Sequence, residues 1–127
     1  MTTDAPPSGK APSGAFSVLT QRADFLRAAR ARRVPMPAFL LQARKRAADE
    51  PAQTAIRVGY TCSKKVGNAV ARNRAKRRLR EIARAVVPLE GQPGWDYVLI
   101  GRAGETATRD FAALKDDLAR ALRKAHR

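Results

Sequence analysis

From Ser63 to Arg84 the chain reads SKKVGNAVARNRAKRRLREIAR, with nine Lys or Arg residues and one acid, Glu81. Such a run belongs to a folded domain only if its charge is kept to one side. At 100° per residue, Ala71, Ala75, Leu79, Ile82 and Val86 fall within an arc of about 80°. Asn73, Lys76, Arg77, Arg80 and Arg84 fall within about 100° on the opposite side, with Arg72 and Arg74 on the shoulders. Gly67 can take a positive φ where the chain turns into this segment, and Asn68 can cap it. The spacing therefore predicts an amphipathic helix that packs by one face and presents cations on the other. Solvated helix faces usually mix both signs through i,i+4 pairs, and here only Glu81 is available for that. Like charges this dense call for a polyanionic partner.

Over the whole chain of 127 residues the formal net charge is +15 and the pI about 11.5. An apolar fraction of 44% places that charge on a globule and not on a disordered polycation. Nucleic acid is the leading partner. No stretch approaches the roughly 18 to 20 apolar residues of a membrane span, and the N-terminus has no apolar core of a secretory signal. A single cysteine, Cys62, excludes an internal disulfide framework and a CxxC zinc site, and suits a reducing cytosol. It reads as a small buried hydrophobe on a strand.

Residues 1–17 are rich in Pro, Gly, Ser, Ala and Thr and read as a disordered extension. Residues 18–127 read as one domain. Thr20 is expected to cap a first helix over Gln21–Arg32, with Asp24 in its first turn. Phe25 and Leu26 point about 100° apart on it, so either both flank the buried stripe or one faces something other than the core. Val34-Pro-Met-Pro37 stops that helix. Ala38–Ala43 reads as a strand, followed by a charged loop to Ala55. Ile56–Ser63 alternates, with Ile56, Val58, Tyr60 and Cys62 on one face and Arg57, Gly59, Thr61 and Ser63 on the other, the pattern of a half-buried strand. After the basic helix, Pro88–Gly94 reads as a turn, and Trp95–Gly101 as a central strand, apolar on both faces. A last helix, capped by Thr108, runs to Ala125 with Phe111, Leu114, Leu118 and Leu122 in one stripe. Asp116 pairs with Arg120 on it, and His126 has no expected role. The fold class is α+β: a small sheet with helices mainly on one side, in the order α-β-β-α-β-α, with a possible short strand in the charged loop.

No Cys/His pair, Ser/His/Asp set, phosphate-binding glycine loop or metal-ligand spacing is present, and catalytic and protein-bound metal residues are therefore none. An autonomous nuclease is disfavoured. A DNA-binding module would need a helix-turn-helix spacing, whereas a strand and a glycine turn precede the basic helix, so no DNA partner is expected. A ribosomal protein, small, basic and α+β, remains open on composition.

The run SKKVGNAV followed by Arg72-Asn73-Arg74, Lys76-Arg77 and Arg80-Glu81 resembles the protein subunit of bacterial ribonuclease P. RADF in the first helix, Phe39 on a strand, and RVGYTCSKK extend the resemblance over Leu19–Val87. It implies a cytoplasmic ribonucleoprotein in which a large RNA, using Mg2+ held mainly by that RNA, removes the 5′ leader of precursor tRNA. It implies a 1:1 complex with that RNA through Lys64, Lys65, Asn68, Arg72, Asn73, Arg74, Lys76, Arg77 and Arg80. It also implies a cleft for the single-stranded leader, formed by Phe25, Phe39, Thr61 and Ser63, and a left-handed βαβ crossover. Ala29 and Gln42 stand where the family often has aromatics. That implies fewer stacking platforms, each worth roughly 1–3 kcal/mol.

Overall fold

The computed structural model describes residues 16–50 and 55–127. Its elements run β1 (Phe16–Val18), α1 (Arg22–Ala29), β2 (Arg32–Pro35), β3 (Phe39–Lys45), β4 (Ile56–Cys62), a 3-10 turn (Lys64–Val66), α2 (Ala69–Glu90), β5 (Trp95–Gly101), α3 (Glu105–Thr108) and α4 (Phe111–Ala125). The class is α+β. One five-stranded sheet is ordered β1-β4-β5-β3-β2. β5 is parallel to β4 and antiparallel to β3, so it is central, and α2 is the crossover between β4 and β5.

Strand alternation divides the sheet into two faces. Phe39, Leu41, Ala43, Val58, Tyr97 and Leu99 form one core with Leu79, Ile82, Ala83 and Val86 of α2 and Leu114, Leu118, Ala121 and Leu122 of α4. On the other face a smaller cluster joins Leu19, Ala28 and Val98, with Phe25 and Ile100 packed against it. Among the described residues α1 is the one helix that covers that side.

The basic helix and the central strand stand where the pattern puts them. Several local expectations do not. Phe16 and Ser17, assigned to the extension, belong to β1, which adds to the edge of β4 in parallel register; the rest of that assignment lies outside the described residues. Among the described residues the additional strands are β1 and β2, and no separate strand lies in the charged loop. The first helix stops at Ala29, because Arg32–Pro35 pairs with β3, and its N-cap is Gln21, whose side chain makes no capping bond. β2 lies at a sheet edge, the place where a strand proline such as Pro35 is tolerated. Met36 N–H then donates to Phe39 O at 2.8 Å and closes the hairpin. Pro88 does not end α2, which continues to Glu90, where the carboxylate accepts from Arg123 at 2.8 Å. Thr108 ends α3, and the cap of α4 is Asp110, whose Oδ2 accepts from Ala113 N–H at 3.1 Å. The paired acid on α4 is Asp117, not Asp116. Asp117 is buried and meets Arg109 at 2.5 Å and Arg120 at 2.6 Å.

β5 is not apolar on both faces. Asp96 is fully buried on it, with Arg46 Nη1 at 2.5 Å, Arg57 Nη2 at 2.8 Å and Arg44 Nη1 at 3.7 Å. Arg57 also reaches Asp24 of α1 at 3.4 Å. One carboxylate thus joins β5 to both neighbouring strands and, through Arg57, to the helix above them. Asp96→Ala strands these cations without a counter-charge and should cost about 3–5 kcal/mol in urea unfolding. A loss below about 1 kcal/mol would mean that the network contributes little.

His126, assigned no role, closes the end of the main core. Its Nε2 lies 2.6 Å from the Tyr97 hydroxyl and its ring stands edge-on to Trp95, centroids 4.4 Å apart. The same hydroxyl accepts from Gln92 N–H at 2.8 Å, so its own proton goes to a neutral imidazole. Burial, helped by Arg32, lowers the His126 pKa below the ordinary 6.5. The unfolded chain therefore takes up this proton first as pH falls. The stabilisation is complete above about pH 6.5 and lost progressively below it. A His126→Gln variant should lose less stability than the wild type between about pH 7.5 and 5.5, measured by urea unfolding; equal losses would remove His126 from the pH response.

Candidate nucleic-acid interface

β4 leads directly into the basic helix. Ser63 Oγ accepts from Lys65 N–H at 3.3 Å and caps the 3-10 turn. Gly67 takes φ 138°, and a Cβ there would lie 2.9 Å from Ala71 Cβ, so glycine is required on both counts. Asn68 Oδ1 then accepts from Ala71 N–H at 2.9 Å, capping α2. Asn68 is thus occupied by its own helix and offers outward only its amide N–H groups.

Ala75, Leu79, Ile82, Ala83, Val86 and Val87 of α2 are buried, while Asn73, Arg74, Arg77, Arg80 and Arg84 are exposed and Lys76 is half-buried. Among the described residues no ion pair engages Lys64, Lys65, Arg72, Arg74, Lys76, Arg77, Arg80 or Arg84. Two arginines of the helix have internal tasks. Arg72 donates to Gly67 O at 3.1 Å, and Arg78 donates to Ala107 O and Arg109 O, each at 2.6 Å, while its guanidinium lies 5.8 Å from the Phe111 ring centre. Arg78 pins the segment between α3 and α4, which explains its different position from the cation row. Arg80 lies over Tyr60 at 5.6 Å, and burial holds the Tyr60 hydroxyl up at a pKa of about 12.

On the opposite face of the sheet, cross-strand register builds the floor of a cleft. Arg33, Gln42, Val98 and Gly59 form one row from β2 to β4, and Leu40, Ile100 and Thr61 form the next. The cleft encloses about 440 Å³ and is lined by Gln42, Val98, Ile100 and Thr61 with Phe25 and Ala29 of α1; Thr20, Arg22 and Tyr60 border it. Phe25 settles the alternative left open by the helix pattern: its ring lies on Gly59, where a Cβ would come 2.6 Å from Cε1. Leu26 is half exposed.

Phe39 is not part of this cleft. It is fully buried in the core under α2 and α4. Strand period decides it, since Leu40, Gln42 and Arg44 alternate with Phe39, Leu41 and Ala43. Ser63 is also outside the lining: it is exposed beyond the end of β4 and engaged in capping. Thr61 and Phe25 stand where expected. Sequence reasoning missed Val98, Ile100 and the border residues Thr20 and Arg22. The alternation of β5 marks Val98 and Ile100 as sharing a face, but only the strand register brings them beside α1. Cys62 ends β4 half-buried, and burial raises its thiol pKa. Among the described residues no group of three or more His, Cys, Asp or Glu gathers as a metal ion would require.

Gly59→Ala should displace the Phe25 ring and cost about 1–3 kcal/mol of stability, as overpacking does. In a Phe25→Ala background most of that cost should vanish, because the obstructed ring is gone. Additive costs in a double-mutant cycle would show that ring and glycine are not coupled.

The family model described as Ribonuclease P matches residues 15–126, which include every described element from β1 to α4. The ribonuclease P protein component of Ruegeria pomeroyi is 66% identical over 114 residues, covering 90% of each chain. Among solved structures, the RNase P protein from Thermotoga maritima matches with a TM-score of 0.69 at 27% identity, over 85% of this chain and 96% of that one. The Staphylococcus aureus RNase P protein matches with a TM-score of 0.66 at 25% identity, over 85% and 94%. By its matched span, its close relatives and its fold, the chain belongs to the ribonuclease P protein family.

Proposed function

We propose that this chain is the protein subunit of a cytoplasmic ribonuclease P, the endoribonuclease that removes the 5′ leader from precursor tRNA. In this reading the catalytic RNA performs the hydrolysis and the protein binds that RNA, one to one, through α2. The observation that carries it is the row of cations on α2 that have no ion-pair partner among the described residues, together with an aromatic-lined cleft on the other face of the sheet. Arg74, Arg77 and Arg80 can each offer a planar fork to phosphate, and Lys64, Lys65 and Lys76 offer point charges. Asn73, exposed among them, brings a donor and an acceptor for a base edge or a 2′-hydroxyl.

The cleft takes the single-stranded leader, with Phe25 as stacking platform and Thr61 on the floor. Contacts to a leader exist in the precursor and vanish in the mature tRNA, so they favour substrate over product by their own free energy. Cations near the junction of two RNAs also offset phosphate repulsion, which lowers the magnesium needed. In this assignment the Mg2+ is held mainly by the RNA. Among the described residues no helix is long and apolar enough to cross a membrane.

Added to ribonuclease P RNA and labelled precursor tRNA at low magnesium, the protein should stimulate cleavage; no stimulation would refute the assignment. Phe25→Ala should weaken precursor binding by roughly five- to a hundredfold, the range of one lost stacking contact, and leave mature tRNA affinity nearly unchanged. Equal losses for both would remove the leader from this cleft. Arg74→Ala should weaken binding to the catalytic RNA and reduce the slope of log K against log salt by about one. An unchanged slope would show that Arg74 meets no phosphate.

A further inference from the structure

Phe111 belongs by spacing to the buried stripe of α4, yet it is 38% exposed and lies outside both core clusters. What it meets on the α2 side is a guanidinium. Arg78 reaches from α2 to the carbonyls of Ala107 and Arg109, and its guanidinium lies 5.8 Å from the centre of the Phe111 ring. Lys115, one turn further along α4, brings its ammonium to 5.5 Å from the same centre. Among the described residues neither cation has an ion-pair partner. Of the neighbouring acids, Asp110 caps α4, Asp117 is held by Arg109 and Arg120, and Asp116 is exposed and pairs with neither cation.

This aromatic adjoins the cation row of α2. Arg74 and Arg78 lie one turn apart, about 40° on the helix, and so share the flank that faces α4. Arg74 is exposed there. The positive surface therefore continues from α2 onto α4, and an exposed ring stands in it. A phosphate alone would satisfy the ammonium and leave the ring in water. A carboxylate is repelled by the negative face of the ring. A nucleotide matches both parts, its base stacking on the ring and its phosphate meeting Lys115. Paired bases are already stacked within their own helix, so the nucleotide must be unpaired.

We propose that Phe111 is a stacking platform for one unpaired nucleotide of ribonuclease P RNA, with Lys115 on its phosphate and Arg78 steadying the ring from the α2 side. The proposal rests on the reading that α2 binds that RNA, and it extends the interface onto α4. The leader is not the ligand here. Its cleft opens on the face of the sheet covered by α1, whereas α4 packs with α2 on the opposite face.

The test measures dissociation constants of the full chain for ribonuclease P RNA over a range of salt concentrations. Phe111→Leu keeps an apolar side chain on α4 but removes the aromatic face. It should weaken binding roughly five- to a hundredfold, the range of one lost stacking contact, with an unchanged salt slope. Phe111→Trp keeps a face to stack on and should bind nearly as the wild type does. Lys115→Gln should reduce the slope of log K against log salt by about 0.7, as expected for one single-strand phosphate. In reconstituted holoenzyme, Phe111→Leu should leave the ratio of precursor to mature tRNA affinity unmoved, which the loss of a leader contact would shift. Thermal unfolding establishes that each variant folds, and if the leucine variant does not, the salt slope of Lys115→Gln decides. A folded leucine variant that binds the RNA as tightly as the wild type overturns the proposal. A tryptophan variant that loses as much as the leucine variant overturns it equally. If Arg74→Ala weakens binding and Phe111→Leu does not, the α2 reading stands without this extension. If the chain does not bind ribonuclease P RNA at all, the α2 reading itself fails, and the proposal with it.

Discussion

Asp96 is the charge around which the domain is assembled. It lies on the central strand with no exposed surface, and a lone carboxylate there would be too costly to keep ionised. Guanidinium groups from both neighbouring strands converge on it, Arg46 and Arg44 from the β3 side and Arg57 from β4. Arg57 passes the connection upward to Asp24, so the pose of α1 over the sheet depends on an ion network one row below the cleft. Arg46 also donates to the carbonyl of Ala55, tying the start of β4 into the same group. Each cation has a partner on another element, which makes the arrangement a constraint on register as well as on packing.

The two faces of the sheet divide the work. Under α2 and α4 the contacts are broad and apolar, and they fix the helix that carries the cation row. Under α1 the cluster is small, and the uncovered part of that face is the cleft. Close approach is built in by glycine on each side: Gly59 admits the Phe25 ring, and Gly101 admits the Cys62 sulfur, which a Cβ would meet at 2.6 Å. The cleft and the cation row come together at the end of β4, where Thr61 lines one and Lys64 begins the other.

The helical pattern from Ala71 to Val86 was readable because it is strong and local, and α2 buries Ala75, Leu79, Ile82 and Val86 as that pattern requires. The alternation of Ile56–Cys62 was readable for the same reason. Phe39 was misplaced because the resemblance supplied a residue without its face, and a period-two strand turns neighbouring side chains to opposite sides. Asp96 escaped notice in an apolar run, since its partners lie 50 and 39 residues away in sequence. His126 was dismissed for its nearness to the terminus, yet Tyr97 and Trp95 hold it there from another element. Strands β1 and β2 are short, three and four residues, and become strands only because β4 and β3 are present to pair with them.

The crossover from β4 to β5 places the whole of α2 inside the loop that must close before Arg57 can meet Asp96. That loop spans 39 residues, and its middle gathers cations as the helix forms. Closing it costs chain entropy, and compacting like charges adds a repulsive term that ionic strength screens. The rate at which the central sheet forms is therefore tied to the counterions around the helix. Salt, or a polyanion already bound to the helix, speeds the closure of a sheet that it does not touch.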